Sequence, residues 1–257
     1  MLDHIFGREP MIKNNFDWNS YRGELSWLQS NTIFLTRYGS HSYGTSTQTS
    51  DEDFRGIAIP PKEYYLSFLK HFDQAESKDP DLVIFDIKKF FKLAMFSNPN
   101  VLELLFVDSS DYIVVTPFSQ ALVENRYKFL SKRCKNTFTG YATSQIKRIV
   151  ASHNSWLLNP IEDALSYNCK AAMHFVRLTR SCKELLATGK LLVRRLDAAE
   201  LLSIRNGAWT FGQFEEFVAD QENEINNLVL TSPLPDEPDF IFLESLCQIL
   251  IESFYNR

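Results

Sequence analysis

The chain lacks several things a protein of 257 residues can have. Its four cysteines, Cys134, Cys169, Cys182 and Cys247, show neither CxxC nor CxH spacing, so neither a zinc site nor a disulfide framework is expected. They read as free thiols in a reducing, cytoplasmic compartment. No apolar run approaches the roughly 20 residues that span a bilayer. The opening Met1-Leu2-Asp3-His4-Ile5-Phe6 has no basic flank followed by an apolar stretch, so no secretion signal is expected. There is no internal repeat and no low-complexity tract. What is present is ordinary for a globular chain, 44% hydrophobic and 23% charged residues, with length for one large domain or two of usual size.

Charge is unevenly spread. The net value is −5, yet between Arg126 and Arg205 fifteen Lys and Arg face five Asp and Glu. From Asn206 onward one basic residue faces ten acidic ones. A basic middle within an acidic chain is a candidate polyanion surface. The competing reading is a set of solvated charges paired with the acidic tail.

Periodicity divides the chain. Residues 33–38, 53–59 and 82–87 are short, apolar and β-branched, and predict strands. Residues 70–81 are polar and predict an exposed loop, and 88–96 has helical spacing that stops at Asn98-Pro99. Past Thr116-Pro117 the spacing predicts helices over roughly 117–133, 137–152, 168–188, 197–206, 211–229 and 239–255. Gly189 and Gly207 stand at helix stops, and Pro233, Pro235 and Pro238 mark a rigid connector. The expected fold is α+β: a mixed sheet with helices over residues 1–115, then an α-helical domain over 116–257 completing the substrate cleft.

The stretch between the first two strands carries the chemistry. Tyr38-Gly39-Ser40-His41-Ser42-Tyr43-Gly44 leads into Ser50-Asp51-Glu52-Asp53-Phe54-Arg55-Gly56. Side chains alternate along a strand, so Asp51, Asp53 and Arg55 share a face that Glu52 does not. Adjacent carboxylates repel unless a cation lies between them, and hard oxygen ligands suit Mg²⁺ or Mn²⁺. Asp86, a charge on an otherwise apolar strand, is the expected third ligand, with an ion pair to Lys88 or Lys89 as the plainer reading. Asp51 and Asp53 could likewise cap a turn, and Ser40 could be a turn former. His41 and Tyr43 could lie over a phosphate or pack in the turn, and Glu103 reads as structural. Lys170, His174 and Arg177 recur at helical spacing and share one face, either solvated or turned to an anionic substrate.

Gly39-Ser40 followed after ten residues by Asp51-x-Asp53, with a carboxylate on a later strand, resembles the DNA polymerase β-like nucleotidyltransferase superfamily. Gly-Ser-His-Ser-Tyr-Gly-Thr, Ser-Asp-x-Asp-Phe-Arg-Gly, Asn98-Pro-Asn-Val-Leu-Glu-Leu-Leu and Ala172-Met-His174-x-x-Arg177-Leu resemble a bacterial and phage family of that superfamily, the polymerase β family of an RNA-repair pathway. The resemblance runs from about residue 33 to 245. It implies a polymerase β-like palm and transfer of a nucleotide from an NTP to an acceptor hydroxyl, here an RNA end, with release of pyrophosphate. Such chemistry uses two Mg²⁺ or Mn²⁺ ions about 3.5–4 Å apart. Asp51 and Asp53 would bridge both ions, and Asp86 would hold the ion at the acceptor. Gly39, Ser40 and Arg55 would meet the triphosphate, joined by Lys170, His174 and Arg177 from the helical part. Alternatives are a protein- or small-molecule-nucleotidylating enzyme, a catalytically dead binding protein, and a toxin–antitoxin-like protein or RNase of the HEPN type using Arg148 and His153 at R-x4-H spacing.

Overall fold

The computed structural model describes residues 11–12, 16–21, 23–160 and 165–256. These divide into two compact units, the first comprising residues up to 95, 100–129 and from 238, the second 96–99 and 130–237.

In the first unit the chain passes through β1 (Met11–Ile12), α1 (Leu28–Asn31), β2 (Thr32–Tyr38), α2 (Gly39–Tyr43), β3 (Asp53–Ala58), α3 (Glu63–Leu66), β4 (Gln74–Lys78), β5 (Asp81–Asp86) and α4 (Ile87–Met95). After α5 (Pro99–Leu102), where the chain re-enters this unit, come β6 (Tyr112–Val115) and α6 (Pro117–Glu124). The strands form one mixed sheet in the order β1-β6-β2-β3-β5-β4. Only β3 and β5 are parallel; the other neighbours are antiparallel. Leu35, Phe54, Ala58, Leu82 and Ile84 sit on one buried face of the sheet.

Residues 70–81, expected as a loop, contain the edge strand β4. Its alternation is nearly silent, because Ala75 is its one buried residue and polar side chains face solvent, as suits an edge. The strand expected at 82–87 begins at Asp81 and ends at Asp86, and Ile87 opens α4.

The expected boundary at 115/116 differs from the observed one. Thr116 and Ser119 form a reciprocal capping box, with Pro117 in the first turn of α6, and the helix belongs to the first unit. The single helix expected over 117–133 is broken by a 3₁₀ turn over Arg126–Phe129. The last helix, α11 (Phe240–Tyr255), also belongs to the first unit. Its Phe254 ring packs 5.5 Å from Phe118, and its Tyr255 hydroxyl donates to the Pro60 carbonyl at 2.5 Å.

The second unit contains α7 (Cys134–Leu158), α8 (Cys169–Thr188), α9 (Ala198–Arg205) and α10 (Phe211–Thr231). α8 is its buried centre, and Gly189 ends it at φ +68°. Arg195, 6% exposed, donates to Glu184 and Asp197, and Arg180 reaches Asp197 and Glu200, fastening the α8–α9 connection. Among the described residues no helix is long and apolar enough to cross a membrane.

Candidate active site

The site is assembled where three strands come level. β2 ends at Tyr38, whose antiparallel partner is Asp53 at the start of β3; Asp53 in turn lies beside Asp81 at the start of parallel β5. Gly39 then turns the chain at φ +63° into α2, and Gly44 closes that helix at φ +76°, its N–H reaching back to His41 and Ser40 carbonyls. The glycine at 39 answers a close approach as well as a backbone angle. A Cβ built there would lie 2.0 Å from Asp53 Oδ2. The sequence reading reserved that space for phosphate; in this structure the Asp53 carboxylate fills it.

Beneath the turn, the hydroxyls of Tyr38 and Tyr43 both donate to Glu103 Oε2 at 2.8 Å. Glu103 is 1% exposed, so this glutamate holds the turn from below, as its structural reading anticipated.

Asp53 is half-buried, and its pKa is pushed up to about 6. Burial is the largest cause, followed by the hydrogen bond and charge of Asp81; Asp51 adds repulsion and Arg55 opposes it. Arg55 Nη1 lies 3.0 Å from Asp81 Oδ1 and donates to the Phe54 carbonyl at 2.8 Å. So Asp51, Asp53 and Arg55 are brought together as expected, with Asp81 among them.

Asp86 is not part of this cluster. It pairs with Ala58, five residues beyond Asp53 in a parallel register, which is roughly 16 Å along the strands. By alternation it also lies on the opposite face, with Leu82 and Ile84. Its carboxylate caps α4, accepting the Lys88 and Lys89 N–H groups at 2.8 and 3.1 Å and the Tyr65 hydroxyl at 2.6 Å. Burial raises its pKa despite those donors. The expected catalytic role for Asp86 is therefore corrected to a structural one. Asp81, absent from the sequence reading, is a carboxylate at the opening of an apolar strand, level with Asp53 because the two strands run parallel.

Carboxylate oxygens are the donor type that a hard divalent cation takes. Asp53 and Asp81 lie side by side across the two strands, the charge of Asp51 bears on Asp53, and Arg55 pairs with Asp81. Among the described residues no three His, Cys, Asp or Glu side chains stand as a ready-made metal cage.

Lys170, His174 and Arg177 lie along α8 in the second unit, running from exposed Lys170 to Arg177 at 4% exposure. Burial, then the charges of Arg177, Lys170, Arg205 and Arg148, lower the His174 pKa to about 4. Several other cations of the basic stretch are paired with acids: Lys132 with Asp236, Arg133 with Glu237 and Lys183 with Glu224. Pairing with the acidic tail thus accounts for part of the count, and the group around His174 is a separate basic cluster. His153 stacks on Phe211 at 3.8 Å with Nδ1 2.9 Å from the Ser166 carbonyl, which is a packing role.

Known proteins resemble parts of this chain. A 38.9 kDa protein from the nrdC–mobD intergenic region of Enterobacteria phage T4 is 33% identical over 132 residues, 46% of this chain and 38% of the phage protein. Protein YcgL of Bacillus subtilis (strain 168) is 34% identical over 92 residues, 35% of this chain and 34% of that protein. The matched segments thus span well under half of either relative. The crystal structure of a nucleotidyltransferase-like protein from Exiguobacterium sibiricum 255-15 covers 80% of this chain, and this chain 72% of it, at 10% identity and a TM-score of 0.32. A family-level match extends from residue 19 to residue 247, and the chain belongs to the RNA repair pathway DNA polymerase beta family.

Proposed function

We propose that this protein is a metal-dependent nucleotidyltransferase of the EC 2.7.7 type, moving a nucleoside monophosphate from an NTP to an acceptor hydroxyl at an RNA end. The observation that carries the reading is the meeting of Asp53 and Asp81 over Gly39, with Asp51 and Arg55 beside them. Asp51, Asp53 and Asp81 would hold Mg²⁺ or Mn²⁺, which supplies charge neutralisation at the triphosphate and at the attacking and leaving oxygens. Arg55 pairs with Asp81 while the carboxylates are uncompensated, and binding a cation would displace the proton that the raised pKa of Asp53 retains. Ser40, part-exposed at the head of the turn, would donate its hydroxyl to a phosphate oxygen.

The basic cluster of Arg148, Lys170, Arg177 and Arg205 around a neutral His174 is the part of the helical unit suited to a phosphate chain. His174, held unprotonated at neutral pH, supplies a hydrogen-bonding edge rather than charge.

The test is incubation with each labelled NTP, Mg²⁺ or Mn²⁺, and pooled RNA, DNA and protein acceptors. Expected is pyrophosphate release with label on RNA, abolished in Asp53→Asn. Label on protein alone would replace the acceptor, and undiminished transfer by Asp53→Asn would sink the mechanism.

A further inference from the structure

The row of residues that carries the carboxylates does not end at Asp81. Lys78, on the edge strand β4, is the antiparallel partner of Asp81, as Asp81 is the parallel partner of Asp53 and Asp53 the antiparallel partner of Tyr38. Residues opposite one another in a ladder present their side chains on one face. Arg55 marks that face independently, pairing with Asp81 while its guanidinium lies 5.7 Å from the centre of the Tyr38 ring. Adjacent strands lie about 4.8 Å apart, so the Lys78 backbone stands one spacing beyond Asp81 and about 10 Å from that of Asp53.

Glu76, Ser77, Lys78, Asp81 and Val83 line a shallow hollow of about 480 Å³ at this end of the row. Lys78 is its cation. It is exposed and makes no ion pair among the described residues, and Asp81 is taken by Arg55. Glu76, opposite Val83 one row along, accepts from the Gln74 amide and adds a carboxylate to the wall. That carboxylate disfavours a triphosphate, whose negative charges crowd together. A phosphodiester suits the hollow better, since it brings a single charge to Lys78 and lays an uncharged sugar beside Val83 and Glu76.

The chemistry gives the direction. In-line transfer places the entering and leaving oxygens on opposite sides of the phosphorus. The Gly39–Ser40 turn flanks the carboxylates on the β2 side, where the reading above puts the triphosphate, so the β4 side is the side of entry. We propose that Lys78 binds the last phosphodiester of a single-stranded polynucleotide acceptor and so sets its terminal hydroxyl beside Asp81. The inference rests on the transfer reading for its direction, and on the register and the hollow for the contact itself.

The experiment uses the full chain, Mg²⁺ and a fluorescent single-stranded RNA oligonucleotide, with binding read by anisotropy and transfer by incorporation of labelled NTP. In Lys78→Met the RNA should bind about tenfold more weakly, the ratio one net charge-assisted contact confers, and the log–log slope against salt should fall by about 0.7. The KM for NTP should keep its wild-type value, and Lys78→Arg should restore most of the RNA affinity. Lys62→Met, at an exposed lysine beyond the opposite end of β3, should change none of these. Unchanged RNA affinity in Lys78→Met, an equal loss in Lys62→Met, or a raised KM for NTP with RNA affinity intact would each overturn the proposal. RNA binding that depends on Lys78 without any transfer would uphold the contact and remove the transfer reading. Transfer with RNA binding indifferent to Lys78 would remove this inference alone.

Discussion

Replacing Gly39 with alanine separates two effects that the turn combines. The backbone there is at φ +63°, where a Cβ costs about 1–2 kcal/mol. The new Cβ would also lie 2.0 Å from Asp53 Oδ2 and 2.9 Å from its Cγ, distances no packed carbon sustains. The obstacle is the end of a side chain, so Asp53 can swing aside, and the steric part of the cost is then modest. Stability should fall by little more than the backbone figure, a drop in Tm of roughly 2–8 °C for a chain of this size. Activity should fall far more, because the displaced carboxylate leaves Asp81. Denaturant melts and single-turnover NTP transfer measure the two losses. A double-mutant cycle with Asp53→Ala makes the attribution specific. With Asp53 shortened the clash is gone, so Gly39→Ala should then cost the backbone strain alone, and the two changes should be non-additive by at least about 0.5 kcal/mol. Strict additivity, or Gly39→Ala transferring at wild-type rate, would refute the claim that Gly39 is glycine because Asp53 occupies its place.

Asp81→Asn should abolish transfer with little change in stability, whereas Asp86→Ala should cost about 1–2 kcal/mol through the lost α4 cap and leave transfer in the surviving folded protein near normal. The pH dependence follows from a folded Asp53 pKa of about 6 set against an ordinary 3.8: the native state holds the proton longer, so stability contributed here falls as pH rises through that window and is flat above it. Asp53→Asn should remove that slope in urea melts between pH 4 and 7. Millimolar Mg²⁺ should raise Tm in the wild-type protein at pH 7 and not in Asp53→Asn, by linkage of binding to folding. RNA affinity should fall with salt, and Arg148→Glu or Lys170→Glu should each lower the log–log slope by about 0.7, while Glu216→Lys on α10 should not lower it.

Much of the fold was readable from periodicity. β2, β3 and the long helices α8, α10 and α11 lie within two residues of their expected bounds, because the apolar residues of each recur at the period of the element. The pattern Gly39-Ser40 with Asp51-x-Asp53 named residues that the structure brings together. The expectation that Asp86 joins them traces to one element. β4 is an edge strand whose side chains are mainly solvated, so its hydrophobic alternation is too weak to see. Taken as a loop, it leaves the direction of β5 open, and the sequence reading names Asp86 without considering Asp81. With β5 parallel to β3, the level residue is the first of the strand instead of the last. The division into units was hidden for another reason. The last helix is amphipathic like its predecessors, and nothing in its spacing says that Phe254 packs on Phe118.

That return has a consequence for how the molecule forms. The helical unit is, in chain terms, an insertion: residues 130–237 leave the first unit at Phe129 and rejoin it at Pro238. Until those residues fold they are a flexible loop whose ends must be brought together before α11 can dock, an entropic cost that grows with the logarithm of its length. Once α7 to α10 are in place, that wandering loop becomes a fixed bridge and the search shortens. The inserted helices, built from near-neighbour contacts, precede in the chain the sixteen-residue helix that completes the first unit, so they can form before the sheet that carries the carboxylates is fully covered.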